Sequence, residues 1–291
     1  MHCKFCQSKK LSIEYSGAIR SGGANSKLED GYQIFSCKAC GIRFLDPLPS
    51  MLDEYYSDKD YWENHHGQLS IKLLQKKLDP EQFRWKSEID PTYLRNKVVL
   101  DYGCGSGLFL DGITSIASQT IGVDKAGFFK DHLRQNGHVF YNELSSLKKG
   151  SIQTLVSFDT LEHLPEPLTF LKEIHNKLSS NADIFIGVPN YWDFLKKLVP
   201  KYLPFFYHKS HLYYYSEQCL KWMLDKTSFH CVDTSFVHKY NIENAINWAL
   251  SSKGMGNKSS GIFDKFTEEA FRMNLERQGI SSHILIHAKK N

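Results

Sequence analysis

Several features that would place this chain in a special class are scarce or absent. No apolar run approaches the roughly 18 residues that a membrane-spanning helix needs, which excludes such a helix. No hydrophobic segment follows the first four residues, so the sequence predicts no secretory signal and a cytoplasmic location. The charges are also nearly balanced, since the chain has 36 basic and 32 acidic residues. This balance gives no reason to expect a nucleic-acid partner.

Cysteine is also scarce, but four of the seven cysteines occur in two Cys-x-x-Cys motifs, Cys3/Cys6 and Cys37/Cys40. Two such motifs supply four soft ligands in the tetrahedral arrangement that zinc prefers. Because the protein would fill all four positions, we expect a structural rather than a catalytic zinc. Two disulfides or four unpaired thiols are the alternatives, and a reducing compartment disfavours the disulfides.

The chain divides into three stretches that differ in composition and hydrophobic pattern. Residues 1–45 are the candidate zinc ribbon, and residues 46–90 form a polar and aromatic linker with helical spacing. Residues 91–291 alternate short apolar runs with helical stretches. This alternation predicts an α/β fold with a doubly wound, mostly parallel seven-stranded sheet, preceded by the small ribbon.

One segment does not fit that alternation. Residues 191–215 hold ten aromatic residues and one acid, Asp193. We expect this aromatic insertion either to form a lid over an acceptor pocket or to be a packed helical insertion. A third interpretation is peripheral contact with a membrane surface through residues 195–207, where lysines interrupt an apolar run.

A glycine-rich turn follows the first strand of the predicted sheet, where residues 101–107 read Asp-Tyr-Gly-Cys-Gly-Ser-Gly. Glycine has no Cβ, so the backbone here can approach a ligand closely. Asp124 follows the second strand, where a carboxylate can accept hydrogen bonds from ribose hydroxyls. The spacing differs from the G-x-G-x-x-G of dinucleotide sites, and Asp101 would repel a pyrophosphate but accept from an ammonium. The pattern therefore favours an amino-acid-bearing nucleoside over NAD.

Three segments match one known family: Val-Val-Leu-Asp-Tyr-Gly-Cys-Gly-Ser-Gly at 98–107, Ile-Gly-Val-Asp at 121–124, and Phe-Asp-Thr-Leu-Glu-His-Leu-Pro-Glu-Pro at 158–167. They resemble the class I S-adenosylmethionine-dependent methyltransferases, in particular the branch with an N-terminal Cys-x-x-Cys ribbon found among sugar and other small-molecule methyltransferases. The resemblance implies a Rossmann-like methyltransferase domain over 91–291 and S-adenosylmethionine as cofactor. The residues that it places around the cofactor are Asp101, Gly103, Cys104, Gly105, Gly107, Asp124 and Asp159.

Two histidines are candidates for proton transfer at the acceptor, since the free imidazole pKa near 6.5 suits that task. His163 follows the fourth strand, and His211 follows the aromatic insertion. For each, the alternative is a structural role in its loop. The leading hypothesis is methyl transfer to a small-molecule acceptor, with a nucleotide-linked sugar as one candidate. An RNA base methyltransferase and a cofactor-binding scaffold without turnover are the alternatives, and the sequence leaves the acceptor, the methylated atom and the oligomeric state open.

Overall fold

The computed structural model describes residues 1–22, 26–49, 70–256 and 258–291. The strands are β1 (Leu11–Ser16), β2 (Ile19–Arg20), β3 (Leu28–Glu29), β4 (Gln33–Cys37), β5 (Arg43–Asp46), β6 (Val98–Tyr102), β7 (Gln119–Val123), β8 (Val139–Tyr141), β9 (Ile152–Phe158), β10 (Leu178–Pro189), β11 (Tyr213–Tyr214), β12 (Phe229–Val237) and β13 (His283–Lys290). The α-helices are α1 (Ile71–Ser87), α2 (Leu108–Asp111), α3 (Lys130–Gln135), α4 (Pro167–Lys177), α5 (Leu195–Leu198), α6 (Leu203–Phe206), α7 (Glu217–Asp225), α8 (Ile242–Ser251) and α9 (Lys265–Arg277). Short 3₁₀ turns connect several of them.

A seven-stranded sheet runs in the order β12-β13-β10-β9-β6-β7-β8. The pairs β6/β7, β7/β8, β6/β9 and β9/β10 are parallel. The strand order reverses at β6, because β7 and β8 extend to one side of it and β9 lies on the other. Ligands of such sheets bind at the carboxyl ends of the strands beside this reversal. The predicted doubly wound, mostly parallel sheet is therefore confirmed.

The central strands are nearly continuous apolar runs, as expected for a sheet that is covered on both faces. Val99 and Leu100 of β6 are fully buried, as are Ile152, Leu155 and Val156 of β9. This burial makes the sheet a rigid support for the loops that follow its strands.

The helix boundaries follow ordinary capping signals. Ser70 caps α1 by accepting a hydrogen bond from the backbone N–H of Leu73. Pro167 occupies the first turn of α4, where its missing N–H is not needed. The predicted linker over 46–90, with its helical spacing, contains α1, and its residues 50–69 lie outside the described residues.

The chain forms two compact units. The cysteine unit consists of residues 1–49, 188–220 and 234–285, and the sheet unit consists of residues 50–187, 221–233 and 286–291. Each is described by itself below. The boundaries predicted from the sequence, after residues 45 and 90, stay predictions.

In the cysteine unit, a four-stranded antiparallel sheet has the order β1-β4-β5-β11. Its fourth strand comes from the aromatic insertion, with Tyr213 opposite Phe44 and Tyr214 opposite Arg43. The N-terminal strands therefore share a sheet with a segment that lies about 170 residues later in the sequence.

Most aromatic side chains of the insertion are buried in the cysteine unit. The apolar cluster that contains them consists of Ile19, Ile34, Leu45, Tyr191, Leu195, Val199, Tyr202, Phe206, Tyr207, Tyr214, Ala245 and Trp248. Among the apolar residues of 195–207, Leu198 is the strongly exposed one, at 62%. The structure thus favours the packed insertion over membrane contact, because the side chains that a membrane would receive are already buried. Among the described residues, no helix is both long and apolar enough to cross a bilayer.

Candidate functional site

The turn after β6 is held against β7 by backbone hydrogen bonds and by one carboxylate. The N–H of Gly103 donates to the carbonyl of Val123 over 2.8 Å. The Asp124 carboxylate accepts from Gly105 N–H through Oδ2 and from Ala126 N–H through Oδ1, each over 2.8 Å. Both oxygens of Asp124 are fixed in direction, yet each keeps a lone pair for a further donor.

Three glycines of this turn have left-handed backbone, with φ of +81° at Gly103, +49° at Gly105 and +80° at Gly107. At two of them the protein itself fills the space of a side chain. A Cβ at Gly103 would overlap Thr160, and a Cβ at Gly107 would overlap Leu133. Ligand approach is therefore not needed to explain glycine at 103 and 107, which the turn conformation and its packing already require.

The turn carries two buried acidic groups. Asp101 is 4% exposed, and burial raises the pKa of its carboxyl to about 8, with the neighbouring Asp124 charge adding to the shift. Burial also raises the pKa of Asp124, which the two backbone N–H bonds partly offset. A ligand that brings positive charge and hydroxyl donors would stabilise the ionised forms of both carboxyls. The residues present thus fit S-adenosylmethionine, which carries a sulfonium, an ammonium and a ribose diol.

Asp159 follows β9, so it lies at the same carboxyl edge of the sheet as the turn after β6. Its backbone is left-handed, with φ of +49°, and its N–H donates to the carbonyl of Gly187 over 2.9 Å. Its Oδ2 accepts from the indole Nε1–H of Trp85 over 3.3 Å. The sequence therefore placed Asp159 at the correct edge but gave no sign of its partner on α1.

The two candidate catalytic histidines belong to different units. In the sheet unit, His163 ends a short 3₁₀ turn after β9, and its N–H donates to the carbonyl of Thr160 over 3.0 Å. In the cysteine unit, His211 is half-buried, with its ring centroid 3.6 Å from that of His208. Neither role is tested by this arrangement, so proton transfer by His163 and His211 stays a prediction.

The four cysteines of the two motifs converge in the cysteine unit. The Sγ atoms of Cys3 and Cys40 are 3.6 Å apart, those of Cys6 and Cys37 are 3.5 Å apart, and all four lie within 4.8 Å of one another. A tetrahedral zinc with Zn–S bonds of about 2.3 Å has S···S edges of about 3.8 Å. The cluster is consistent with that geometry.

The two cysteine motifs turn in the same way. The residue after each second cysteine is left-handed, with φ of +58° at Gln7 and +78° at Gly41. The N–H of Gln7 donates to the Cys3 carbonyl over 3.0 Å, and that of Gly41 to the Cys37 carbonyl over 2.9 Å. Only the second turn has a glycine at this position.

The electrostatics of the cluster also suit a cation. A hydrogen bond from Cys40 lowers the pKa of the Cys3 thiol to about 5, while Cys40, as its donor, has a raised pKa. A thiolate is thus favoured at Cys3, and thiolates are the form in which cysteine binds metal.

A comparison with protein families matches residues 74–234 to a family described as "Methyltransferase domain". These 161 positions are more than half of the chain's 291 residues. The chain belongs to this family of class I methyltransferases. Its family segment contains the turn after β6, Asp124, Asp159 and His163.

Solved structures of methyltransferases share the fold. A SAM-dependent methyltransferase from Archaeoglobus fulgidus is 21% identical, with a TM-score of 0.50 over 80% of this chain and 100% of that chain. Magnesium protoporphyrin IX methyltransferase from Synechocystis, solved with bound SAH, is 13% identical, with a TM-score of 0.50 over 83% of this chain and 99% of that chain. At these identities the likeness concerns the fold alone.

Curated relatives are named ubiquinone biosynthesis O-methyltransferase. The one from Dechloromonas aromatica is 26% identical over 107 residues, which cover 33% of this chain and 46% of the relative. The one from Paraburkholderia xenovorans is 26% identical over 124 residues, which cover 39% of this chain and 52% of the relative. The chain thus spans about half the length of the curated relatives that it matches.

Proposed function

We propose that this protein transfers a methyl group from S-adenosylmethionine to a small-molecule acceptor. The observation that carries the proposal is the Gly105–Asp124 hydrogen bond beside the buried Asp101, at the edge where the strand order reverses. Membership of the methyltransferase family supports the cofactor. The names of the curated relatives support a small acceptor.

In this proposal each residue of the turn has a distinct task. Asp124 accepts from the ribose hydroxyls through the lone pairs that its two backbone partners leave open. Asp101 accepts from the ammonium of the methionine moiety, directly or through a water. The backbone of Gly103, Cys104, Gly105 and Gly107 lines the methionine end, and Asp159 borders the same edge at the end of β9.

When bound, the cofactor supplies a methyl group that is already activated on a sulfonium. What remains for the chain is to orient the acceptor in line, to exclude water and, where the acceptor needs it, to remove a proton. We assign that last task to His163 or His211 as candidates. A histidine that only positions its loop would leave the pH dependence of turnover unchanged, which separates the two roles.

The cysteine cluster is proposed to hold a structural zinc, with Cys3, Cys6, Cys37 and Cys40 as its four ligands. A site with four protein ligands has no open position for a substrate. The branch of ribbon-bearing small-molecule methyltransferases is therefore the proposed subfamily, and a nucleotide-linked sugar is one acceptor to test.

The direct test uses the purified chain and methyl-labelled S-adenosylmethionine. Calorimetry first measures cofactor binding, and the labelled cofactor is then incubated with separate pools of nucleotide-sugars, quinone precursors and RNA. We expect label in a small-molecule pool, identified by mass spectrometry. Label in RNA, together with binding that weakens about tenfold or more between about 50 and 200 mM salt, would instead support the RNA alternative. Binding without label in any pool would support the scaffold.

A further inference from the structure

Among the described side chains of helix α1, two contact the edge of the sheet unit where the cofactor is proposed to bind. Gln75 lies near its start, and Trp85 lies ten residues later, about 15 Å along the helix axis. Neither residue belongs to a motif that the sequence singles out. Each nevertheless reaches a different part of the proposed cofactor site.

Trp85 is fully buried and fills a defined gap at the ends of β9 and β10. Its ring is stacked on Phe158, with centroids 5.0 Å apart and an interplanar angle of 9°. A Cβ added at Gly187 would lie 2.7 Å from the ring, so the indole occupies the space that this glycine leaves. Packing against Phe158 and Gly187 therefore restricts where the indole can lie.

From that position the indole N–H donates to Asp159 Oδ2 over 3.3 Å. Asp159 is a non-glycine residue in the left-handed region, a conformation that needs support from its surroundings. The next residue, Thr160, packs directly against Gly103, and its Oγ1 donates to the Phe158 carbonyl over 2.9 Å. The direction of the Asp159 carboxylate and the shape of the turn after β6 thus depend on the same short segment, residues 158–160.

Gln75 makes the second contact. Its amide Nε2 lies 3.0 Å from His132 Nε2, 3.2 Å from the Ser106 carbonyl and 3.2 Å from Asp111 Oδ2, so its two hydrogens are shared among three acceptors. Ser106 stands between Gly105 and Gly107 in the turn, and Asp111 ends α2. Gln75 therefore ties the turn to the helix that follows it.

We propose that Trp85 and Gln75 are positioning residues of the cofactor site. They act through Asp159 and Ser106 and make α1 part of the S-adenosylmethionine cradle. This inference rests on the proposed function, since it concerns affinity for the same cofactor. A merely structural helix would contribute to the stability of the protein without changing that affinity.

The test compares Trp85→Phe and Gln75→Leu with the wild-type full-length chain. Phenylalanine keeps a ring on Phe158 but removes the N–H, and leucine keeps the bulk of Gln75 but removes its amide. We expect each variant to raise the calorimetric Kd for S-adenosylmethionine and for S-adenosylhomocysteine about two- to tenfold, the range for one hydrogen bond. Thermal unfolding without ligand checks that each variant is folded.

Trp248→Phe is the matched control, because it makes the same replacement at a buried tryptophan of the cysteine unit. Its Kd for S-adenosylmethionine should equal that of the wild type. If Trp85→Phe does not fold, Gln75→Leu alone decides whether α1 affects the affinity for the cofactor. If the wild type binds S-adenosylmethionine and both variants bind it equally well, this inference is overturned but the proposed function is not. A lowered melting temperature of the variants would not change that conclusion. No binding by the wild type would overturn the proposed function and this inference with it.

Discussion

The turn after β6, proposed to hold the cofactor, and the cysteine cluster, proposed to hold zinc, are built in opposite ways. The turn consists largely of backbone, with Asp101 and Asp124 as its acidic groups, and a buried parallel sheet holds it in place. The cluster consists of four side chains on two turns, in a unit whose N-terminal residues Ile19, Ile34 and Leu45 share one apolar cluster with the aromatic insertion. The comparison teaches that the first site is specified by backbone shape and the second by ligand chemistry. A change of residue size should therefore damage the first, and a change of ligand atom the second.

The largest effect is expected for Cys37→Ser, which replaces one thiolate. If the about 10–16 kcal/mol of a structural zinc is shared by four ligands, losing one lowers zinc affinity more than about hundredfold. Metal analysis after dialysis against a weak chelator measures it. S-adenosylmethionine affinity of the same sample should stay at the wild-type value.

Cys219→Ala is the matched control for this change. Cys219 is fully buried in the same unit but is outside the four-cysteine cluster. We expect the zinc content of Cys219→Ala to equal that of the wild type. Loss of cofactor binding together with zinc in Cys37→Ser would show that the two sites are not independent.

The next effect concerns Gly105→Val, a change of size in the turn. The valine side chain would enter the proposed ligand space. If this clash costs as much as overpacking a protein core, about 1–3 kcal/mol, cofactor affinity should fall by up to about hundredfold. Calorimetry measures it. Gly150→Val is the control, because Gly150 is also left-handed, with φ of +67°, but has open space around it. It should lose stability from the same backbone strain and keep the cofactor affinity, and an equal loss of affinity in both variants would refute the steric explanation.

Cofactor affinity should also depend on pH through Asp101. The pKa of its carboxyl is raised to about 8, so the ionised form that attracts a cation becomes populated only as the pH rises. We expect affinity to increase about tenfold from about pH 6 to about pH 8. Asp101→Asn removes this titration, so the pH profile of the variant should be flatter and keep only the ionisations of Asp124 and of the ligand. Identical profiles for the two proteins would exclude a role for Asp101.

The last change concerns stability in the cysteine unit. Burial raises the pKa of Asp193 to about 7 from its ordinary 3.8, so the stability that the protonated carboxyl contributes is fully present below about pH 3.8 and is lost as the pH rises through about 7. Asparagine does not titrate and can keep the bond from Leu195 N–H. Because one pKa unit corresponds to about 1.4 kcal/mol, Asp193→Asn should gain about 2–3 kcal/mol in unfolding free energy between about pH 5 and about pH 8, relative to the wild type. The exposed Asp225→Asn should show no such gain in the same urea titrations.

Much of the sheet unit follows from the sequence, because its signals are local. The short, largely apolar segments 98–101, 120–124, 138–141 and 151–158 correspond to β6 to β9, within one or two residues at each end. Each is an apolar run followed by a turn or a helix, and parallel strands bring such turns to one edge. Asp101 and Asp124 could be placed there from the pattern, and Asp159 through the family resemblance.

The sequence by itself thus determined which residues end the strands and which cysteines share a spacing suited to zinc. Tertiary structure decided what surrounds them. The pairing of β11 with β5 joins residues 43–44 to 213–214, and the Trp85–Asp159 bond joins positions 74 residues apart. Neither the strand pairing nor this hydrogen bond produces a periodic pattern in the sequence, because contacts between distant segments depend on packing in three dimensions. The burial that raises the pKa of Asp101 is likewise a property of the assembled sheet, since a carboxyl in an isolated strand is hydrated and titrates normally.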